Sequence, residues 1–174
     1  MRPGTFIEAK AWPVAPRPFP EEAMGGWIGR VAARYRVTVE QLCGDGGIAL
    51  DASGDLGWLM PAPLPAEQLR RLARLGRLDP NRISAIEAPA SWRGDRIWAF
   101  YCATCVFLNP ADVTAPRWKR AWLDPTAAWC DVHDMQLETI PASSVRSARN
   151  FEHLLMMVSK LEQKRRQNLR IYRH

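Results

Sequence analysis

The sequence predicts a mainly α-helical protein with a small zinc-ribbon-like β segment. Apolar residues recur at helical spacing in three separate stretches, and residues that favour helix ends flank these stretches. Between Trp92 and Leu137 the helical period fades, and four side chains of the kind that bind zinc occur there. The chain has 174 residues, which is enough to bury a core but short for most enzymes, so we expect a compact binding or adaptor protein.

The chain opens with a proline-rich stretch over residues 1–20. Four of its prolines lack the backbone N–H that helices and strands use: Pro13, Pro16, Pro18 and Pro20. We therefore expect an extended lead-in, followed by a helical region over residues 21–90. Glu21 and Glu22 are expected in the first turn of the first helix, where the helix dipole favours acidic side chains.

Two helix-turn-helix-like pairs are predicted within the helical region. The first helix carries an apolar stripe of five residues: Trp27, Ile28, Val31, Ala32 and Tyr35. Its partner begins at a capping box formed by Thr38 and Gln41 and stops at Gly44. A glycine-rich loop follows, which we interpret as a connector because it contains no phosphate-binding motif.

The second helical pair repeats this pattern further along the chain. Its first helix has four apolar residues on one face: Leu69, Leu72, Ala73 and Leu75. The next helix is predicted to begin at an Asp79 cap, with Pro80 at its first position, and to run to Pro89. Arg82 lies near the start of this helix and is a candidate for contact with DNA.

The segment over residues 91–141 is predicted to bind zinc. Four side chains occur in it as two pairs with the same interval: Cys102, Cys105, Cys130 and His133. Zinc favours thiolate and imidazole ligands, and two such pairs complete its tetrahedral shell. We therefore expect one Zn2+ ion per chain; the alternative is a set of unconnected core thiols and a surface histidine. Cys43 has no spaced partner and is predicted to be a buried, apolar-like side chain.

Enzymatic activity is not expected from these motifs. A catalytic zinc site usually keeps one position open for water, whereas three cysteines and a histidine already supply four ligands. A zinc deaminase needs an H-x-E motif ahead of its cysteine pair, but every histidine of this chain follows Cys105. A metal-dependent nuclease or hydrolase is the enzymatic alternative.

The last segment, residues 142–174, is predicted to be an amphipathic helix that becomes basic. Its apolar stripe contains Phe151, Leu154, Leu155, Val158 and Leu161. The net charge of +6 lies entirely after residue 145, because the preceding residues carry 16 basic and 16 acidic side chains. Six residues of this tail are predicted to contact nucleic-acid phosphates: Lys160, Lys164, Arg165, Arg166, Arg170 and Arg173. The alternative is a solvated helix end.

Composition indicates a folded, cytoplasmic protein. Apolar residues make up 47% of the chain, and eight residues are tryptophan, so disorder is not expected for most of it. No apolar run has the length of a signal peptide or a membrane span, and we expect no membrane partner. In a reducing compartment, the spacing of the four cysteines favours metal binding over disulfides.

The order of these features resembles the TniQ family of transposition proteins, also called the TnsD/TniQ family. The stretch "RPFPEEAMGGWIGRVAARYRVTVEQL" is similar to the family's opening, and "LPAEQLRRLARLGRLDPNRISAI" falls where the family has its next helical pair. The sharpest similarity is a Cys-x-x-Cys, a basic residue three positions before a tryptophan, and then Cys-x-x-His-x-x-x-Leu. Lys119, Trp122 and Leu137 occupy the positions around the four zinc ligands. Because no cysteine follows Cys130, the chain resembles a short member with a single zinc segment.

The resemblance implies a non-enzymatic adaptor in target-site selection for DNA transposition. Such an adaptor acts beside an AAA+ ATPase regulator and, indirectly, a transposase. Some members are coupled to CRISPR effectors, so DNA and the RNA of a guide complex are both expected partners. The alternative is a stand-alone zinc-containing helix-turn-helix DNA-binding regulator, for which sequence-selective binding that depends on Arg82 would be the distinguishing sign.

Overall fold

The computed structural model describes residues 10–107 and 116–171, and this part of the chain is mainly α-helical, as the sequence predicts. Its α-helices are α1 (Met24–Tyr35), α2 (Val39–Asp45), α3 (Ala66–Gly76), α4 (Pro80–Ser84), α5 (Ala103–Phe107), α6 (Ala142–Ser147) and α7 (Phe151–Ile171). Its strands are β1 (Trp98–Tyr101), β2 (Trp129–Cys130), β3 (Met135–Gln136) and β4 (Glu138–Pro141). β1 pairs antiparallel with β4, and β2 pairs antiparallel with β3. Among the described helices, none combines the length and apolar character that crossing a membrane requires.

The two predicted helical pairs, α1 with α2 and α3 with α4, share the same turn. Arg36 follows α1 and Arg77 follows α3, and both have a left-handed backbone, with φ of 58° and 54°. The N–H of the next residue then reaches back five residues to a helix carbonyl, at 3.1 Å in the first pair and 2.8 Å in the second. Each turn is therefore a Schellman motif with arginine at the position where glycine is usual.

The predicted N-caps of the second helix in each pair are confirmed. Thr38 Oγ1 accepts the N–H of Gln41 at 3.0 Å, and the Gln41 side chain accepts the N–H of Thr38 at 3.0 Å, which completes the capping box. Asp79 Oδ1 accepts the N–H of Asn81 at 2.8 Å. These bonds satisfy N–H groups that have no partner within the helix.

The predicted ends of the same two helices are wrong. α2 continues one residue past Gly44, because the left-handed residue that turns the chain is Gly47, with φ of 64°. α4 ends at Ser84, several residues before its predicted end. The residues after it turn toward α1, where the Ile86 carbonyl accepts the N–H of Met24 at 3.0 Å.

The start of α1 also differs from the prediction. α1 begins after Glu21 and Glu22, so neither acid lies in its first turn. Glu22 instead forms a β-bridge with Lys119, and the Ala23 N–H donates to the Trp118 carbonyl at 2.8 Å. The chain ahead of α1 is thereby hydrogen-bonded to the predicted zinc segment.

The described part of the proline-rich lead-in, residues 10–20, covers the core beside α1 and α3. Trp12 is buried, and its N–H donates to the Leu75 carbonyl at 2.9 Å. The indole Nε1 of Trp27 donates to the Pro16 carbonyl at 2.7 Å, and the rings of Trp12 and Trp27 are 6.2 Å apart. This described part of the lead-in therefore belongs to the folded unit, and the rest of the predicted lead-in lies outside the described residues.

The C-terminal helix α7 packs against α1 through its predicted apolar stripe. Phe151, Leu154 and Val158 are buried, and Leu155 and Leu161 are partly buried against the same core. The short helix α6, which precedes α7, was not predicted from the sequence. It directly follows β4 and connects the sheet to α7.

Two glycines in the first helical pair make a matched test of this packing. A Cβ at Gly25 would lie 2.2 Å from the Trp58 carbonyl oxygen and 2.3 Å from that of Leu59, whereas a Cβ at Gly44 meets no atom within 4 Å. Gly25→Ala is expected to lower the free energy of unfolding by about 3 kcal/mol, because backbone atoms cannot move aside. Gly44→Ala is expected to raise it by about 0.5–1 kcal/mol, since alanine favours the helix. Urea denaturation of both variants checks this, and equal effects would contradict the close backbone approach at Gly25.

Candidate metal centre

The first pair of predicted ligands lies where β1 meets α5. Cys102 directly follows β1, and Cys105 lies in the first turn of α5. The Cys105 N–H donates to Cys102 Sγ at 3.5 Å, and the Val106 N–H donates to the Cys102 carbonyl at 3.1 Å. This turn holds the two sulfurs close together, as a shared metal ion requires.

The second pair lies in the hairpin of β2 and β3. Cys130 ends β2, and His133 lies in the connecting turn, with Sγ and Nδ1 3.7 Å apart. Asp134 completes the turn with a left-handed backbone, φ 47°, which aspartate tolerates better than most residues. Its Oδ1 accepts the indole N–H of Trp129 at 2.9 Å, which closes the turn on its outer side.

The four side chains converge on one point. Their donor atoms all lie within 4.8 Å of one another. His133 Nδ1 is 3.2 Å from Cys105 Sγ and 3.5 Å from Cys102 Sγ, and the sulfurs of Cys105 and Cys130 are 3.7 Å apart. A zinc tetrahedron has edges of about 3.8 Å between sulfurs and about 3.5 Å between sulfur and nitrogen, given its usual bond lengths. The residues present therefore fit a metal ion of this kind, and four unconnected side chains are excluded.

The three thiols of the centre differ in the direction in which their pKa is shifted. Burial raises the pKa of Cys102, and it raises the pKa of Cys105 to about 12 with a further contribution from the neighbouring sulfurs. Burial also raises the pKa of Cys130, but hydrogen bonds from the His133 backbone and side chain and from the Val132 backbone outweigh it and lower the pKa to about 7. Bound metal would supply the positive charge that three neighbouring thiolates need.

Three buried aromatic side chains pack together beside the first cysteine of the centre. Tyr101 is adjacent to Cys102, and its ring centroid is 5.9 Å from that of Trp118. Trp118 in turn meets Trp122 edge to face at 5.8 Å, and all three rings are buried. The ammonium of Lys119 lies 6.0 Å from the Trp122 ring, at the limit of a cation–π contact.

Cys43 lies apart from this centre, as the sequence predicts. It is 2% exposed within the helical core, and burial raises its pKa to about 12. Such a thiol packs as a small apolar side chain and is unreactive.

Comparison with known protein families gives one result that bears on identity. The TniQ family model matches residues 13–137, which is most of the chain. The chain belongs to the TniQ family. The match spans both helical pairs and the metal centre, and the family is associated with target selection in transposition. No curated protein and no solved structure gave a significant match.

The basic tail of this TniQ protein is only partly available to a partner. Lys160, Lys164 and Arg166 are exposed on α7. The side chain of Arg170 is not among those described, and Arg173 lies outside the described residues. Contact between these residues and nucleic acid stays a prediction.

Two other arginines predicted to bind nucleic acid make bonds within the TniQ chain. Arg165 Nη1 is 2.9 Å from carboxylate oxygens of both Glu138 and Glu162, which ties α7 to β4. Arg82 Nη2 donates to the Pro18 carbonyl at 2.8 Å, which ties α4 to the lead-in. A nucleic acid would have to compete with these bonds, a condition that spacing in the sequence does not reveal.

Proposed function

We propose that this TniQ protein is a non-enzymatic adaptor in target-site selection for DNA transposition, and that it joins an AAA+ ATPase regulator to target DNA or to a targeting complex. The observation that carries the proposal is the family match over residues 13–137. That range contains two helical pairs and the metal centre, which lies between these pairs and the C-terminal tail in the sequence. We take these as the parts that an adaptor of this kind needs.

The metal centre has a structural role in this proposal. Its ion is zinc, because three sulfurs and one imidazole nitrogen at tetrahedral spacing are the donors that zinc prefers. Four protein donors fill the tetrahedral shell, so no coordination position is left for a catalytic water. The ion fixes the junction of β1 and α5 against the β2–β3 hairpin and makes no bond to a substrate.

The partners divide between two surfaces. The first helical pair presents a protein surface to the ATPase, while exposed cations of the tail lie against phosphates of DNA or of guide RNA. Phosphate contacts position a protein without selecting a sequence. The adaptor on its own should therefore bind duplex DNA weakly and with strong salt dependence, and the ATPase should strengthen that binding.

The tail can be tested by removing two of its exposed charges. In Lys160→Gln/Lys164→Gln, the slope of log K against log salt concentration is expected to fall by about 1.8, since each phosphate contact contributes about 0.9. Arg34→Gln/Arg36→Gln, which removes the same charge from exposed positions at the end of α1, should leave the slope unchanged. Fluorescence anisotropy of a labelled duplex, with and without the ATPase, gives both values.

Three results would contradict the adaptor function. Tight, sequence-selective binding by the protein alone would indicate a stand-alone regulator. Turnover of a substrate that is lost in Cys130→Ala would indicate an enzyme. Absence of any complex with an AAA+ ATPase regulator of transposition, at low salt and with duplex present, would remove the bridging role.

A further inference from the structure

Helix α3 carries a row of arginines that neither the metal centre nor the tail involves. We call Arg70, Arg74 and Arg77 the α3 arginine face. Arg70 and Arg74 lie one turn apart on α3, Arg77 is the left-handed residue directly after the helix, and all three are exposed. Within the described residues, the side chains of Arg70 and Arg77 have no hydrogen bond or ion pair. The signal in the sequence is the repeat of arginine opposite the apolar face of α3.

The helical pair that carries this face has a clear excess of positive charge. Between the start of α3 and the end of α4 there are five arginines and two acids, Glu67 and Asp79. The corresponding first pair, α1 with α2, has three arginines and two acids, and Arg30 is already paired with Glu22. The second pair is therefore the helical pair with the larger excess of positive charge.

Arg77 occupies a backbone conformation that suits glycine. Its φ of 54° is left-handed, and most side chains are disfavoured there. Glycine at this position would relieve the backbone, and no described contact of the arginine side chain offsets the cost. The guanidinium makes no described side-chain contact, and its one local contribution is a favourable interaction with the C-terminal end of the α3 dipole, which Arg36 shares at the end of α1.

The chemistry of the face favours phosphate over protein. The large apolar side chains that are exposed in the described residues all lie outside α3 and α4, whereas the centre of a protein interface is usually apolar or aromatic. Arginine presents a planar fork of donors that matches phosphate oxygens. Arg70 and Arg74 are about 6 Å apart along the helix axis, which is close enough for both to contact neighbouring phosphates of one DNA strand. A groove of about 340 Å³ beside Arg70 and Arg74 is also lined by Glu67, Leu78 and Pro80, so one carboxylate lies among its cations.

We propose that the α3 arginine face binds the phosphate backbone of duplex DNA and that it is a second contact surface beside the tail. The proposal rests on the adaptor function, because it assumes that the protein lies on DNA. It assigns that contact to the second helical pair and leaves the first pair to the protein partner.

The test uses the two arginines with left-handed backbone as a matched pair. Arg77→Gly and Arg36→Gly each remove one charge and one strained side chain, so each is expected to raise Tm by about 3 °C. Only Arg77→Gly is expected to weaken binding to a mixed-sequence duplex, with a salt slope smaller by about 0.9. The zinc-loaded full chain is measured by thermal unfolding and by fluorescence anisotropy. If Arg77→Gly is more stable but binds DNA less well, the loss of binding cannot result from misfolding and reports the loss of a direct contact.

Two further variants extend the test. Arg70→Gln/Arg77→Gln should reduce the slope by about 1.8, and Arg70→Lys/Arg77→Lys should restore it, because lysine keeps the charge. Equal slopes for Arg77→Gly, Arg36→Gly and the unaltered chain would overturn the proposal, even if the tail variant shows that the protein binds DNA. Unchanged duplex binding with weaker binding to the ATPase would identify the face as a protein-docking surface and would also overturn it. If the unaltered chain bound no duplex, the DNA-binding part of the adaptor function would fail as well.

Discussion

Cys102→Ser is expected to abolish the cooperative unfolding transition of this TniQ protein. With a metal ion bound, the sulfur of Cys102 would join the end of β1 to the β2–β3 hairpin, and the strands there are only two to four residues long. Metal binding to such a site contributes on the order of 10 kcal/mol of apparent folding free energy. Short strands cannot replace that contribution by burial alone. Differential scanning calorimetry should show a broad, weak transition, and His133→Ala should behave in the same way.

Cys43→Ala provides the matched control for this prediction. Cys43 is as deeply buried as Cys102, but it lies in the helical core and outside the metal centre. Its replacement is expected to lower stability by about 1 kcal/mol, as the loss of a small core group does. The control should retain one zinc ion per chain by elemental analysis. A metal-free protein that unfolds cooperatively at the same temperature would contradict a structural zinc site.

The metal centre could be predicted because its signal is local. A sulfur three residues from another sulfur, and a histidine three residues from a third, can be recognised without knowledge of the fold. The helix caps at Thr38 and Asp79 were predictable for the same reason, since each depends on residues two or three positions away. Local rules of this kind located both helical pairs and the four side chains of the centre.

The features that were missed depend on contacts between distant parts of the chain. The sequence around Glu22 predicts the first turn of a helix, but Glu22 lies ahead of that helix and forms a β-bridge with Lys119. The charge pattern places Arg165 among the phosphate-binding cations of the tail, although its guanidinium is paired with Glu138 and Glu162. A count of charges cannot distinguish a paired arginine from an available one, because the pairing is set by the tertiary fold.

The buried ion pair of Glu22 and Arg30 joins the lead-in to α1, two segments that the sequence predicts as separate. Glu22 is fully buried, and its two carboxylate oxygens accept Arg30 Nε at 2.7 Å and Arg30 Nη2 at 2.8 Å. The same carboxylate accepts the N–H of Phe19 in the lead-in at 3.1 Å. The side chain of Glu22 thus ties the lead-in to α1, while its backbone forms the β-bridge to Lys119 in the segment of the metal centre.

Glu22→Ala is therefore expected to lower the free energy of unfolding by about 3–5 kcal/mol, because it leaves the Arg30 guanidinium buried without its counter-charge. The adjacent Glu21 is the control: it pairs with Arg117 at 2.6 Å, but its side chain is 40% exposed, so Glu21→Ala should cost at most about 1 kcal/mol. Guanidinium chloride denaturation of the zinc-loaded protein measures both. The double variant Glu22→Leu/Arg30→Met removes both charges and should recover much of the loss. Equal effects of Glu21→Ala and Glu22→Ala would show that the buried pair does not hold these segments together.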